Sequence, residues 1–427
     1  MKLSIILTGA VALAYINSFW GVFQFDDFNV IVYNPVVHSW QAWLSDVQAG
    51  GIRPFLKFYY YLNWVSGMGS QSFHLFNTGV HIINTILIYR LSLRLLPYHR
   101  KAAFIAALLF ALHPVQTEAV TYISGSSTSL MAMFYLGSLL AYASRRWVLV
   151  YIASPLLFIM AVLTKEVALT LPLTLILWDC CCYKFSIKRQ VVHWSLLFLI
   201  LFLLLAHTGY NRFFNYAFGI RDLKENILSQ INGVTYLMTR LILIFRLNID
   251  PDLPVVSRWT GLLVAKGLFL SSLIFIGLIS LRKRPVFGFC LLWFFLQLLP
   301  TNSVVPRLDI ANERQLYLAS WGTFLFIGIQ AERLQRKHLF CVVIPLCLML
   351  GLFTIARNHT YRSEIALWED TIRKSPGKPR AYNNLGYAYF LSKRYEKARE
   401  AYLTALRLRP DYPLARNNLL ALEDIKH

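Results

Sequence analysis

The sequence predicts an all-α membrane protein, a polytopic helix bundle of about eleven spans followed by a short tetratricopeptide α-solenoid. Hydrophobic residues make up 57% of the 427 residues and the mean hydropathy is +0.50, which is typical of membrane proteins rather than soluble globular ones. The apolar residues form long runs, and the composition changes abruptly to soluble helix after residue 356. We therefore predict a membrane domain at residues 1–356 and a repeat domain at 357–427.

The predicted spans are apolar runs long enough, or nearly long enough, to cross about 30 Å of hydrocarbon. They lie at 3–23, 73–96, 102–120, 128–144, 147–163, 167–181, 194–208, 261–281, 286–300, 316–331 and 339–356. No small-residue cleavage site follows the first run, so it is interpreted as an uncleaved helix. Arg and Lys are concentrated in alternate connections, such as 90–101 and 282–284. The positive-inside rule then places the N-terminus in the cytoplasm and, with an odd number of spans, the repeat domain outside.

Two long segments, 24–72 and 209–260, connect spans on the predicted outer face. Within the second, the stretch 227–247 is a candidate twelfth span, but its crossing would move the basic residues 282–284 outside and break the alternation of charge. An amphipathic outer-face segment is therefore favoured. Most acids of the membrane domain fall in outer connections, whereas only Asp179 and Glu332 fall in inner ones. We expect any chemistry to take place on the outer face.

Residues 379–412 match the tetratricopeptide pattern in register. Its eight signature positions hold Tyr382, Leu385, Gly386, Tyr389, Ala398, Tyr402, Ala405 and Pro410. Small residues at two of these positions allow the paired helices to approach closely, and the proline ends the second helix. Half repeats are predicted on either side, the second being a closing helix at 414–425. Because repeats bury their faces only against neighbours, we expect so short an array to lean on the membrane domain.

The basic residues do not indicate a nucleic-acid-binding protein, although the formal net charge is +21. They lie between apolar runs and in the repeat domain, not in one stripe interleaved with aromatic residues. The six cysteines include the adjacent Cys180, Cys181 and Cys182, which are badly placed to bridge one another. Free thiols or a palmitoylation site explain this run better than a disulfide framework or a metal site.

Two adjacent carboxylates, Asp26 and Asp27, follow the first predicted span where it emerges into water. Acids are costly to hold near hydrocarbon, so the pair is a candidate functional site. Neighbouring side chains of an extended backbone point to opposite sides, so one acid is expected to act as a base and the other to hold the structure or a polar ligand. The alternative, with about even weight from spacing alone, is that both begin a solvated loop.

A polar stripe runs along the second predicted span, where His74, Asn77, His81 and Asn84 share one helical face. Such a stripe faces the bundle or a wet cavity. The two histidines are separated by about 10 Å of helix rise, too far to share a metal ion. Interhelical hydrogen bonding is the favoured interpretation. No ligand spacing in the chain demands a metal, and we predict none.

Three further polar groups lie at the predicted outer ends of spans. They are His113 with Glu118, Lys165 with Glu166, and Glu313 with Arg314 and Tyr317. Pro114 disrupts the helix at the first group and could free carbonyl groups towards a cavity. Each group alone is weak evidence, and Lys165 and Glu166 could simply neutralise one another. Together they place acids, cations and a tyrosine at one depth beside the loop of Asp26 and Asp27.

The order of these motifs resembles that of the transmembrane and tetratricopeptide-repeat-containing O-mannosyltransferases and their bacterial relatives, in the C-type glycosyltransferase superfamily. The motifs are FQFDDFNVIVYNP, RPF, FHLFNTGVHIIN, ALHPVQTEAVTYISG, LTKEVALTLP and NERQLYLAS, followed by the tetratricopeptide tail. The resemblance covers nearly the whole chain, and the order is more telling than any single motif. One departure is Gln315, which stands where the family pattern Glu-Arg-Tyr-Leu-Tyr has its first tyrosine.

The resemblance implies an inverting transfer of a mannose-like sugar from a polyprenyl phosphate to an acceptor hydroxyl on the periplasmic or luminal side. The departing lipid phosphate is a good leaving group, so one carboxylate suffices as the base, with Asp27 expected ahead of Asp26. Lys165 and Arg314 are suited to hold the donor phosphate. The remaining residues expected to bind substrate or orient these cations are Arg53, His113, Glu118, Glu166, Glu313 and Tyr317. The donor is a substrate, and no cofactor is implied.

The implied partners are the lipid-linked sugar, membrane lipids, an acceptor protein with a Ser or Thr hydroxyl, and a protein bound by the tetratricopeptide tail. Two alternatives stay open. A polysaccharide- or lipid-directed transferase would share the site but take a glycan or lipid acceptor. A non-catalytic assembly factor would hold partners through the tail and would tolerate Asp27→Asn. The uncleaved start and short tail favour a bacterial inner membrane.

Overall fold

The computed structural model describes residues 2–182 and 186–424, apart from the side chains of Phe213, Arg336 and Phe340. These residues are mostly helical and include no β-strand, which confirms the predicted all-α fold. The end of the predicted closing helix, at residue 425, lies outside the described residues.

The helices of the membrane domain follow one another with short connections. Their bounds are α1 Lys2–Tyr15, α2 Trp40–Gln48, α3 Pro54–Val65, α4 Ser70–Leu95, α5 Arg100–Leu112, α6 Thr117–Val120, α7 Ser126–Tyr142, α8 Ser154–Thr164, α9 Leu171–Cys182, α10 Ile187–Ala206, α11 Thr208–Ile220, α12 Leu223–Arg240, α13 Gly261–Lys283, α14 Pro285–Leu298, α15 Leu316–Glu332 and α16 Arg336–Thr360. The last of these helices continues past residue 356, so the boundary predicted between the two domains falls inside α16.

Four helices among the described residues are long and apolar enough to cross a membrane, and they identify an integral membrane protein. They are Lys2–Trp20, Ile187–Ala206, Gly261–Lys283 and Lys337–Thr360. A fifth candidate is α5 together with Pro114–Val120, a pair bent by 53° at the proline predicted to interrupt the span. The count of about eleven is not confirmed, because α7, α14 and α15 have 17 residues or fewer and α4 carries the polar stripe. The helix in the doubtful 227–247 stretch, α12, is not among the candidate spans.

Small residues bring the central helices close together. A Cβ atom added at Gly328 of α15 would lie 2.4 Å from the carbonyl oxygen of Ala102 in α5, so only glycine permits this approach. Gly322 is equally close to the carbonyl oxygen of Cys290 in α14. Close backbone approach of this kind is a main source of packing energy between helices in lipid.

The polar stripe of α4 is buried against neighbouring helices, as predicted. The Asn84 amide donates to the carbonyl oxygen of Ser129 at 2.8 Å and to the hydroxyl of Tyr317 at 3.0 Å. His81 Nδ1 lies 2.8 Å from the same hydroxyl. The hydroxyl of Tyr59 donates to the side-chain oxygen of Asn77. These bonds tie α4 to α3, α7 and α15 in the interior of the bundle.

The repeat domain consists of four helices. They are α17 Glu364–Lys374, α18 Pro379–Leu391, α19 Tyr395–Leu408 and α20 Pro413–Asp424. The complete repeat is the α18 and α19 pair, where a Cβ atom at Gly386 would lie 2.6 Å from the Tyr402 ring. The helices α17 and α20 flank this pair and correspond to the predicted half repeats.

The repeat domain packs directly on the loops at one end of the bundle. The ring of Phe25 meets Trp368 of α17 edge-on, with centroids 5.1 Å apart. Arg380 of α18 forms a two-pronged ion pair with Asp250, with its nitrogens 2.6 and 2.8 Å from the carboxylate oxygens. The short repeat array therefore packs against the membrane domain, as predicted, and does so beside the loop of Asp26 and Asp27.

Candidate active site

The acids of the predicted outer connections lie at the end of the bundle where the repeat domain docks. Glu118 and Glu313 meet there, close to the start of α15. Glu332, at the far end of the same helix, is instead bonded to His99. The separation of acids into two ends matches the sequence pattern, while the side of the membrane that each end faces stays a prediction.

Asp27 is fully buried and its carboxylate is completely used in holding the loop. One oxygen accepts the backbone N–H of Gln24 at 2.9 Å. The other accepts the backbone N–H of Ser124 at 2.8 Å and also its hydroxyl. Burial raises the pKa of Asp27 to about 7, although these three donors oppose the shift. Asp27 therefore fastens the loop to the turn between α6 and α7.

Asp26 is only partly buried, and its carboxylate is more accessible than that of Asp27. Its backbone N–H donates to the hydroxyl of Tyr122 at 3.1 Å, which orients the residue. Burial raises the pKa of Asp26, while the guanidinium groups of Arg314 and Arg380 act in the opposite direction. Asp27 is thus locked in the structure and Asp26 faces cations, whereas the resemblance led us to expect Asp27 ahead of Asp26 as the base; which acid is the base stays a prediction.

Phe25, immediately before the acid pair, has a left-handed backbone with φ of +50°. A non-glycine residue in this region is strained by about 1 to 3 kcal/mol, and such strain often marks functional sites. Its N–H donates to Glu364 of the repeat domain at 2.8 Å, and its ring packs on Trp368. The repeat domain therefore helps to hold the conformation that presents Asp26.

Arg314 and Glu118 form a buried pair at the start of α15. A Glu118 oxygen accepts the backbone N–H of Arg314 at 3.0 Å, and the other lies 3.6 Å from its Nε. Glu313 points away from this pair, towards Arg357, with 3.9 Å between the nearest atoms. Burial raises the pKa of Glu313 to about 8, against the effect of the Arg357 charge. Glu118 thus orients Arg314, whereas Glu313 belongs to the contact with the repeat domain.

Lys165 lies in a polar cleft lined also by Arg307 and Arg314. Its ammonium donates to the hydroxyl of Thr128 at 2.6 Å, and no carboxylate among the described residues is within ion-pair distance. Burial lowers the pKa of Lys165 well below its usual range, and the charges of Arg314, Arg53 and Arg307 lower it further. The cleft therefore has an excess of positive charge and favours an anion.

Glu166 pairs with Arg53, not with its neighbour Lys165. Arg53 Nε and Nη2 donate to the two carboxylate oxygens at 2.9 and 2.8 Å, and Tyr210 donates to the first at 2.6 Å. Together, Arg53 and these bonds hold the pKa of Glu166 at about 2, although burial opposes them. The mutual neutralisation of Lys165 and Glu166 considered from the sequence is therefore wrong, and Lys165 has no carboxylate within ion-pair distance among the described residues.

His113 and Tyr317, expected to bind substrate, are taken up by packing. The Nε2 of His113 is bonded to the carbonyl oxygen of Leu241 at 3.2 Å, and its Nδ1 accepts the N–H of Val115. The Tyr317 hydroxyl is buried among His81 and Asn84. The structure places neither residue in the charged cluster, the group formed by Asp26, Glu118, Lys165 and Arg314. Both stand next to residues that do belong to it, which is why their motifs looked functional.

Two residues of the site were missed in the sequence. Arg307 lines the cleft with Lys165, and burial together with the Arg314 charge lowers its pKa to about 10. Tyr122 contacts Asp26. Arg307 could have been found from its position, since it lies in the same outer connection as Asp309 and Glu313. Tyr122 could have been found because it belongs to the motif ALHPVQTEAVTYISG, which also contains Glu118. No group of three or more potential metal ligands is gathered in the described part of the chain.

The arrangement suits a reaction in which a proton is removed and negative charge develops nearby. A partly exposed carboxylate is a competent general base. Buried, pre-positioned cations stabilise an anionic leaving group more strongly than water does. Among the described residues Asp26 is a carboxylate of the first kind, and the cleft of Lys165, Arg307 and Arg314 gathers cations of the second.

Comparison with known proteins shows which families the chain resembles. A tetratricopeptide repeat model matches residues 379–412, the predicted repeat. The chain is 24% identical to protein O-mannosyl-transferase TMTC3 of Mus musculus over 95% of its own length, and 26% identical to protein O-mannosyl-transferase F38B6.6 of Caenorhabditis elegans over 96%. The predicted resemblance to the protein O-mannosyl-transferases is confirmed.

The likeness to this family is not uniform along the chain. Identity reaches 33% with protein O-mannosyl-transferase TMTC1 of Mus musculus, but over only 32% of this chain and 16% of that protein. The chain spans 51% of the mouse TMTC3 protein and 63% of the worm protein. No solved structure matches the chain. These relatives come from animals, so the bacterial origin favoured by the sequence stays a prediction.

Glu313 gives the site a pH dependence that can be measured. Its pKa is raised from 4.5 to about 8, so the folded protein holds a proton that the unfolded chain loses. Stability contributed by this proton is present below about pH 4.5 and is lost as the pH rises towards 8. We expect both the melting temperature and the free energy of unfolding to fall between pH 5 and 8. In Glu313→Gln the loss of unfolding free energy over this range should be smaller by on the order of 1 kcal/mol or more.

Glu166→Gln is the matched control, because the shift of Glu166 has the opposite sign. Its pKa is lowered to about 2, so its contribution is lost only as the pH falls below about 4.5. Melting curves of the three proteins from pH 3 to 8 separate the two effects. An unchanged pH dependence above pH 5 in Glu313→Gln would show that Glu313 is ionised in the folded protein.

Proposed function

We propose that the chain is a membrane glycosyltransferase that moves a mannose-like sugar from a polyprenyl phosphate to a Ser or Thr hydroxyl of a protein. The observation that carries the proposal is the partly exposed Asp26 near Arg314, which lines the cation-rich cleft with Lys165. The names of the O-mannosyl-transferase relatives support the sugar and the protein acceptor. The polyprenyl phosphate donor and the periplasmic or luminal face follow from the resemblance and the charge pattern.

In the proposed reaction the acceptor oxygen attacks the anomeric carbon as its proton passes to Asp26. The bond from that carbon to the phosphate oxygen breaks, and the electron pair leaves with the lipid phosphate. The donor phosphate carries one negative charge as a diester and gains a second as it leaves. Cations aimed at this developing charge lower the barrier. Attack opposite to the leaving phosphate inverts the configuration at the anomeric carbon.

The cations have distinct parts in this scheme. Arg314 can grip two phosphate oxygens through its guanidinium fork, and Glu118 holds it in place. Lys165 gains the negative partner that it otherwise lacks, so donor binding is expected to favour its protonated form. Arg53 is neutralised by Glu166 in an ion pair, which leaves the neighbouring Lys165 free of that carboxylate. Contrary to the order expected from the resemblance, we place Asp26 ahead of Asp27 as the base, because Asp27 is fully buried and already accepts three hydrogen bonds that hold the loop.

Transfer by the purified full chain tests the proposal. With labelled polyprenyl phosphate mannose and Ser- or Thr-containing peptides, label is expected in the peptides together with free polyprenyl phosphate. Lys165→Met should raise the KM for the donor about tenfold or more, since a charge-assisted hydrogen bond of about 1.5 to 3 kcal/mol is lost. Asp252→Asn, at an exposed acid on the same face, is the control and should be neutral.

The acceptor arm of this experiment separates the alternatives. Transfer to a glycan or lipid, with none to peptides, would support the polysaccharide- or lipid-directed enzyme. A folded chain that consumes no donor with any hydroxyl acceptor would overturn the proposal and favour a non-catalytic assembly factor.

A further inference from the structure

A long apolar groove lies on the lipid-facing side of the bundle, away from the charged cluster. It has a volume of about 790 Å³ and runs between α1, α5 and α16. Leu108 and Leu112 of α5 face Cys347 and Leu352 of α16 across it. Among the described residues that line it, Lys101, at the start of α5, is the one that carries a charge.

Further cations surround this end of the groove. A second depression, on the other side of α1, is lined by Lys2, Arg90 and Arg100, which are exposed. Glu332, an acid at the same end of the bundle, is bonded to His99. Among the described residues no carboxylate lies within ion-pair distance of these three cations or of Lys101. The cations at this end of the groove therefore have no carboxylate partner among the described residues.

The opposite end of the groove is closed by neutral polar groups. Asn358 donates to the side-chain oxygen of Asn17 at 3.0 Å and accepts from Thr121 at 2.7 Å. Asn17 in turn donates to the carbonyl oxygen of Ile355, which lines that end. As far as the described residues go, a lipid phosphate in the groove would thus meet cations at the Lys101 end and neutral groups at the other. Along α5, residues 101 and 112 are about 17 Å apart, so the Lys101 end is remote from the cleft of Arg314.

We propose that this groove binds an anionic phospholipid, with its headgroup phosphate on Lys101, next to the cations of the neighbouring depression, and an acyl chain along α5 and α16. Charge complementarity selects the occupant, because an apolar groove ending in unpaired cations fits a molecule with an apolar tail and an anionic head. Basic pockets between membrane helices are known to bind such headgroups. The donor lipid is a poorer fit, since its phosphate must reach the opposite end of the bundle. The site is independent of the proposed transfer reaction.

Native mass spectrometry of the full chain in a neutral detergent tests this proposal. Phosphatidylglycerol is expected to bind about tenfold or more tightly than phosphatidylcholine with the same acyl chains, and the double variant Arg100→Gln, Lys101→Gln should lose most of that preference. The matched control is Arg145→Gln, Arg146→Gln, which removes two exposed cations from another connection. It should bind like the unaltered chain.

A second variant tests the groove without touching its charge. Gly351 lines the groove, and a Cβ atom there meets only Leu112, at an ordinary 3.8 Å, so Gly351→Leu should fold and fill the groove. We expect it to bind less phosphatidylglycerol, and soluble glycerol phosphate should not displace the lipid. Equal binding of the neutral lipid, displacement by glycerol phosphate, or an equal loss in the Arg145 and Arg146 variant would overturn the proposal. So would preferential binding of polyprenyl phosphate that survives the double Gln substitution.

Discussion

Asp26→Asn is expected to lower kcat for sugar transfer by about 10² to 10⁴-fold while leaving donor binding nearly unchanged. Asn keeps the size and polarity of the side chain but has no basic oxygen to accept the acceptor proton. The change is well tolerated by the fold, because Asp26 is only partly buried and its backbone bond to Tyr122 does not involve the carboxylate. Initial rates with labelled donor, and donor affinity measured separately, give the two quantities.

Asp27→Asn provides the contrast that identifies the base. An amide has only one acceptor oxygen, so its NH₂ group would face the N–H of Gln24 or of Ser124. An unsatisfied buried donor costs about 1 to 3 kcal/mol, which should appear as a lower melting temperature. Activity per folded molecule should fall much less than in Asp26→Asn. A stable Asp27→Asn protein without activity, beside an active Asp26→Asn protein, would reverse the two roles.

The sequence was sufficient for the features that depend on local pattern. The tetratricopeptide repeat was located because Gly386 and Tyr402 must meet for two helices to pack, and that requirement leaves a fixed spacing. The concentration of acids at one end followed from the position of each acid relative to the apolar runs. Different surroundings for Asp26 and Asp27 were expected, since adjacent side chains point in different directions, but the order expected for the base, Asp27 ahead of Asp26, is reversed in the proposal.

Pairings between distant segments could not be predicted in this way. Glu166 and Arg53 are separated by 113 residues, and nothing in either motif shows that this ion pair displaces one with the adjacent Lys165. The same holds for Tyr317, whose hydroxyl could face a substrate or the bundle until the position of Asn84 is known. The span count stays unconfirmed for a related reason: short or polar helices are stable when enclosed by others, and hydropathy alone does not register the enclosure.

Arg357→Gln is expected to destabilise the protein by about 1.5 to 3 kcal/mol, because it removes a buried charge-assisted hydrogen bond to Asp370, which keeps Lys374 as a partner. Arg357 has a side chain only 6% exposed and lies 2.8 Å from Asp370 of the repeat domain. Its guanidinium also approaches Glu313 at 3.9 Å and the ring of Tyr361 at 5.2 Å. One side chain thus joins the end of α16, the repeat domain and the residue before Arg314. Thermal unfolding of the purified chain measures the loss.

Arg362→Gln is the matched control for this substitution. Arg362 is exposed and close by in sequence, and its bond is to His359, so the expected change is within about 0.5 kcal/mol. Adding Asp370→Asn and Glu313→Gln to Arg357→Gln should recover part of the lost stability, since Asp370→Asn removes the carboxylate that has lost its Arg357 partner, whereas Glu313 already holds a proton below about pH 8. If the triple variant melts no higher than Arg357→Gln, packing rather than charge accounts for the effect. Recovery would show that this buried network fastens the repeat domain over the loop that presents Asp26.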